Sequence, residues 1–290
     1  MDGFLDQNDG LLRLAVFAGV FVIMGAIELI RPKRRLTASK TRRWLTNLGI
    51  AGTDTLVLRL MAMLPVPVAA VAAAFFAKEH RLGLLNQVAW PYWIKLVIAL
   101  LVIDLAIWFQ HLVSHKVPIF WRLHRVHHAD RDIDVTTAVR FHPIEIALSM
   151  LWKIVVVVPL GASPFAVFLF EAILNACAMF NHANIALPSW LDGMLRLVIV
   201  TPDMHRVHHS VARNEHDRNY GFNLSLWDRL FRTYLAEPEA GQQGMTIGLT
   251  PFQTEAPTRF VWSLVLPFRG TSGRGASENS QHLSGGKPES

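Results

Sequence analysis

Cysteine occurs once in this 290-residue chain, as Cys177 in an apolar stretch. A disulfide and a cysteine-ligated iron–sulfur cluster are therefore both excluded within one chain. No GxGxxG run is present, so no dinucleotide-binding turn is expected, and no haem-binding motif stands in its place. HExxH is missing too, which leaves a zinc hydrolase without its catalytic glutamate. Charge is scarce: 17% of residues are charged against 52% hydrophobic, and mean hydropathy is positive at +0.30. That composition is too apolar for an ordinary soluble domain and makes a membrane the expected solvent.

The apolar residues come in long runs. Leu11 to Ile30 covers about 30 Å as a helix, which matches the hydrocarbon thickness. A cleaved leader is the competing reading, but Asp2, Asp6 and Asp9 precede the run and no basic residue comes before Arg13. RPKRRLTASKTRRW follows, with seven Lys/Arg and no acid from Arg31 to Trp44. Basic loops stay inside, so the N-terminus is expected outside and this loop in the cytoplasm. A second run, 45–77, leads out, with Trp90, Tyr92 and Trp93 as an interface anchor, and a third, 92–115, returns. Residues 144–182 are apolar but broken by PLGASP, which predicts a membrane hairpin, with Lys153 and Glu171 at similar depth and able to pair. The net charge of +6 is explained by this topology and by anionic lipid, so nucleic-acid binding is not expected.

On this topology every histidine motif reaches one membrane face. His111 and His115 are four apart in HLVSH and share a helix face. HRVHH occurs twice, giving His124, His127 and His128, then His205, His208 and His209. In each copy the spacings of three and four make one face while the adjacent pair splays, an arrangement able to serve two metals. With His182 at the end of the hairpin, nine histidines converge, more than one four-coordinate zinc uses. Imidazole suits iron, copper, zinc and nickel without choosing among them. His142 in RFHPIE is either a further ligand or an ordinary residue opening a helix. His80, His216 and His282 are read as surface or satisfied core residues. Asp104 lies on the face of His111 and His115, where it is either an acceptor for a ligand imidazole or a partner of Arg59 in the second run. Trp108 shares that stripe and is read as packing.

HLVSH, HRVHH, FHPIE, NHANI, HRVHH and NYGFNLSLWDRLF, in this order between apolar runs, resemble the fatty acid hydroxylase superfamily, also called the sterol desaturase family. The resemblance runs from about Trp44 to Tyr234. It implies an all-α, multi-span transmembrane bundle with a cytoplasmic histidine-rich helical cap around a two-metal centre. The implied activity is hydroxylation or desaturation of a lipid, such as a sterol or fatty acyl chain, with dioxygen. Carried over by position, the ligands are His111, His115, His124, His127, His128, His205, His208 and His209. His182 matches an additional histidine, and Asn184 contributes through water. The cofactors are two iron ions, for which zinc can substitute in purified protein. Electrons then come from an external donor, a separate protein such as a ferredoxin. Two departures stand out: Leu112 replaces a common arginine, and Arg232 stands where glycine is usual.

Four parts are expected: residues 1–43 as a first span and basic loop, 44–240 as the hydroxylase-like domain, 241–269 as an interfacial segment with a short helix, and 270–290 as a disordered Gly/Ser-rich tail. A bacterial inner membrane is the expected location. The alternatives are a catalytically silent metal-binding protein and a metal transporter, although a transporter would place its ligands at mid-membrane. Neither the lipid, the position oxidised nor the oligomeric state is legible.

Overall fold

Residues 2–64 and 69–270 are described by the computed structural model; the expected disordered tail, with His282, lies outside the described residues from position 271 onward. Among the described residues the chain is all-helical, with isolated bridges and no strand. The main helices are α1 (Asp2–Ile30), α2 (Lys40–Ala62), α3 (Ala70–Glu79), α4 (Tyr92–Lys116), α5 (Pro118–His128), α6 (Pro143–Leu160), α7 (Pro164–His182) and α8 (Pro202–His208). Two short ones follow, α9 (Leu226–Leu230) and α10 (Phe260–Val265). Four segments are long and apolar enough to cross a membrane: Gly10–Ile30, Tyr92–Lys116, Pro143–Leu160 and Pro164–His182. Such helices fit an integral membrane protein.

The run at 45–77 departs from expectation. Instead of one continuous apolar element it forms α2, ending at Ala62, and α3, starting at Ala70, and neither is among the four candidate spans. The reason is polarity: α2 buries Arg43, Asn47 and Asp54 and turns them toward the rest of the chain. α3 is rich in alanine, and Ala70, Val71 and Ala74 join Ile103, Val157, Val167 and Phe170 in the apolar core. Small side chains let the backbones approach closely.

The PLGASP break forms the expected hairpin turn. Gly161 takes a left-handed conformation at φ 70° to close α6, and the Ser163 hydroxyl accepts from the Ala166 N–H to open α7, with Pro164 in its first turn. Gly83 presses on this turn so closely that a Cβ would meet Gly161 N at 2.2 Å. Lys153 pairs with Glu171 as the spacing suggests, and Arg13 of α1 joins them, 2.5 Å from Glu171. Arg232 adopts φ 58°, the left-handed region that glycine enters without steric penalty, so its place in the chain explains why glycine is usual there.

A polar core holds the histidine-bearing end together. The Arg43 guanidinium is fully buried and donates to both oxygens of Asp130, at 2.6 and 2.8 Å, and to Asp134 at 2.5 Å. Burial alone pushes the Asp130 carboxyl up, but the adjacent Arg43 charge outweighs it and holds the group at about 2. Arg140, also fully buried, joins the Val126 carbonyl, Asn47, the Pro257 carbonyl and Ser263. Through Arg140 the segment around α10 is drawn onto α2 and α5, where Ile50, Val126 and Leu266 form a second apolar cluster. The segment 241–269 thus carries a short helix, α10, that packs against α2 and α5.

Candidate metal centre

The C-terminal ends of α1, α4 and α7 meet at one end of the helices. Glu28 of α1 accepts from the backbone N–H groups of Val135 and Asn184, both at 2.7 Å. α4 brings His111 and His115 there, α7 ends on His182, α5 carries His124, His127 and His128, and α8 carries His205 and His208 with His209 as its cap. Pro118 and Pro202 each occupy the first turn of a short helix, where a missing N–H is tolerated.

These nine histidines, all buried, form two groups. His111, His115, His124, His128 and His208 make the first; His127, His182, His205 and His209 make the second. Within each, one nitrogen per residue lies within 4.8 Å of all the others. The adjacent pairs His127–His128 and His208–His209 split between the groups, as the splay of neighbouring positions predicts. The two HRVHH copies are used in opposite proportion: α5 contributes two residues to the first group and one to the second, α8 one and two.

Contacts behind the rings orient them. His111 Nδ1–H donates to the Tyr220 carbonyl and His208 Nδ1–H to that of Arg218, both at 2.7 Å. His124 Nδ1–H donates to Glu145 Oε1 at 2.6 Å, and His182 Nδ1–H to the Ala178 carbonyl at 2.7 Å. With the proton on Nδ1, a neutral ring presents a bare lone pair at Nε2. Yet His111 Nε2 lies 3.0 Å from His208 Nε2 and 3.1 Å from His124 Nε2. Three lone pairs facing one another without a proton between them are repulsive unless a cation lies among them. Metal–nitrogen bonds of about 2.1 Å at right angles place neighbouring nitrogens about 3.0 Å apart. In the second group His182 Nε2 lies 3.1 Å from both His127 Nε2 and His205 Nε2. Both nitrogens of His115, His128 and His209 are buried without a hydrogen-bond partner among the described residues. Buried polar atoms are normally satisfied, so this many unmet nitrogens fits a set of metal ligands.

Burial also keeps the rings neutral. It pushes His124 down to about 3, and burial with neighbouring imidazoles drives His127, His128, His205, His208 and His209 well below the ordinary histidine value. Neutral imidazole is the ligating form.

Other residues singled out from sequence lie elsewhere. His142 opens α6: its Nδ1 accepts from the Ile144 N–H and its Nε2–H donates to the Leu264 carbonyl, so it joins neither group. Asp104 accepts from Trp227 Nε1 at 2.8 Å rather than from a histidine or Arg59. The Asn184 side chain is bonded to the backbone of Arg34 on both its atoms. Trp108 is buried and donates to Asp228 at 3.0 Å while stacking on Phe231.

His216 corrects the expectation of an ordinary histidine. It is buried with an unmet Nδ1, 5.2 Å between ring centres from His115 and 5.1 Å from His128. With Asp217 and His115 it makes a third group at the edge of the first. Its only sequence signal is its position seven residues after His209, next to an acid. Glu145, Tyr220 and Asp228 carry positioning contacts that their motifs did not assign. Asp228 accepts from the Tyr220 and Gly221 N–H groups at 2.8 Å, pinning the loop whose carbonyls hold His111 and His208.

A cavity of about 390 Å³ runs between α1, α2, α4, α6 and α7 and reaches His111 and His124. Its size is that of a small-molecule site, and Phe17, Ile107, Leu174 and Phe222 supply apolar wall.

The model of the fatty acid hydroxylase family matches residues 96–233, the stretch holding all nine histidines. Over 180 residues the chain is 30% identical to the ornithine lipid hydroxylase OlsE of Rhizobium tropici, covering 62% of this chain and 52% of that protein. Over 162 residues it is 30% identical to the alkylglycerol monooxygenase of Homo sapiens, covering 53% of this chain and 34% of that one. The matches thus span about half or less of these relatives' own lengths. No solved structure matches the chain significantly. Residues 96–233 are thus similar to the fatty acid hydroxylase family, as the order of the histidine motifs implies.

Proposed function

We propose that the two histidine groups hold one iron ion each and that the chain is a membrane-bound oxygenase that hydroxylates a lipid. The observation that carries this is the opening of a cavity between apolar helices onto His111 and His124 of the first group. The donor set is all imidazole, a set that suits iron. A bound iron pair supplies the electrons that split dioxygen and the oxidising power for an unactivated C–H bond. The chain's own work is to orient and exclude. Tyr220, Arg218, Ala178 and Glu145 fix which nitrogen each ring presents. Phe141 stacks 4.4 Å from His127 between ring centres and screens the second group beside the cavity wall. Phe17, Leu174 and Phe222 hold the lipid out of water.

His111, His115, His124, His127, His128, His182, His205, His208 and His209 are the proposed ligands; His142, Asp104 and Asn184 are not. Electrons come from a separate small redox protein. The basic loop from Arg31 to Arg43 puts the histidine end in the cytoplasm and the N-terminus outside, within a bacterial inner membrane, and residues 44–240 form the catalytic domain. Ornithine lipids and alkylglycerols, named for the relatives, are the first classes to assay.

Elemental analysis with Mössbauer spectroscopy on anaerobically purified protein tests the reading. About two coupled irons per chain is the expected result; zinc alone after iron supplementation sinks it. Glu145→Gln tests the ring-orienting role. It weakens the acceptor behind His124 and is expected to lower metal affinity about 10- to 100-fold in a chelator competition. An unchanged affinity removes Glu145 from that role.

A further inference from the structure

The cavity wall is more polar than a hydrocarbon chain requires. Thr55, Gln110, Ser114 and Ser149 line it, and so do two carboxylates, Asp54 of α2 and Glu145 of α6, each 8% exposed. At the far end Glu171 is satisfied by Lys153 and Arg13. Near the histidines the acids are not satisfied. Asp54 Oδ1 is buried without a hydrogen-bond partner among the described residues, and so is Glu145 Oε2, the oxygen not engaged by His124. Two acceptor groups with unmet oxygens on one wall leave a demand for donors, because buried polar atoms are otherwise paired. Asp54 also lies outside residues 96–233, so it is no part of the matched domain.

We propose that Asp54 and Glu145 form a subsite for a hydrogen-bond-donating group of the substrate, an ammonium or a hydroxyl. Such a group brings the polar end of a lipid, rather than its terminal methyl, beside the first histidine group. The site of oxidation then lies near the head of the molecule. This assignment rests on the oxygenase reading for its substrate; binding by the acids does not. Burial of the pair limits competing water, which strengthens the hydrogen bonds and makes a lipid without a donor a poor ligand.

Equilibrium binding to the purified, metal-loaded full chain in detergent tests the subsite, by scintillation proximity with three tritiated probes: hexadecylamine, 1-hexadecanol and 1-methoxyhexadecane, which has no donor. At least one donor probe is expected to bind about tenfold more tightly than the methyl ether, as for one buried hydrogen bond. A preference for the amine identifies an ammonium subsite and a preference for the alcohol a hydroxyl subsite. Asp54→Leu, close in size and without an acceptor, is expected to erase most of the preference; Asp54→Asn erases the amine preference first. Equal affinity for all three probes in the native chain overturns the proposal, as does a preference that survives Asp54→Leu. Should neither variant fold, the native probe ranking decides alone. Iron counted on the same samples separates the two readings. Donor preference in a chain that never takes iron keeps the subsite and sinks the oxygenase, and iron without donor preference does the reverse.

Discussion

His208→Ala is expected to leave a chain that inserts in the membrane, holds less iron and forms no oxidised lipid. His208 faces His111 across 3.0 Å and belongs to the first group, the one the cavity reaches through His111 and His124. His205→Ala should also abolish oxidation, through the second group, where His205 meets His182 at 3.1 Å. The two variants discriminate between one shared site and two. If each group holds its own ion, either change halves the iron and the remaining coupling disappears from the Mössbauer spectrum. His124→Ala strikes the first group from α5 and opens the cavity wall as well, so it should match His208→Ala in metal content. Membrane fractionation, iron per chain and product analysis on one preparation make the comparison. Full activity in any of the three variants rules out the ligand assignment.

Arg43→Met carries the largest expected loss of stability. The guanidinium is completely buried and makes a two-pronged contact to Asp130, a single one to Asp134 and a third to the Asp132 carbonyl at 3.0 Å. Removing the cation leaves two buried carboxylates uncompensated, which costs about 3–5 kcal/mol. Arg43→Lys restores charge but not the planar fork, so it should recover only part. The effect should extend to the metal centre, since Asp130 stands two residues after His128, just past the Ala129 cap of α5. Thermal unfolding in detergent and iron retention check both parts: a markedly lower midpoint with early metal loss is expected, and an unchanged midpoint shows that the network is not what holds α2 to the histidine end.

Much of the site was legible because it is local. Spacings of three and four within HRVHH, and four within HLVSH, set helix faces by geometry alone, and adjacent histidines must splay. What was not legible reflects the same limit. His216 carries no partner within its own helix, and only the folding of Arg213–His216 against α4 and α5 brings it to His115 and His128. Asp104 shares a stripe with His111, yet Trp227, more than a hundred residues away, claims its carboxylate. Of the two readings left open for His142, the structure shows the helix-opening one, its ring capping α6. The run at 45–77 was apolar by content, yet within it α2 buries Asn47 and Asp54, and neither α2 nor α3 is among the four candidate spans.

By itself the sequence determined four helices long and apolar enough to cross a membrane, the hairpin turn at PLGASP and the arrival of nine histidines at one end, because hydropathy, turn residues and helical period act over a few turns. Only the tertiary structure decided how the nine divide into five and four, which carbonyls hold His111 and His208, and that Asp54 and Glu145 share a wall. Those features are distances between side chains on separate helices, and they exist only once packing has set how far apart the helices stand and which faces meet.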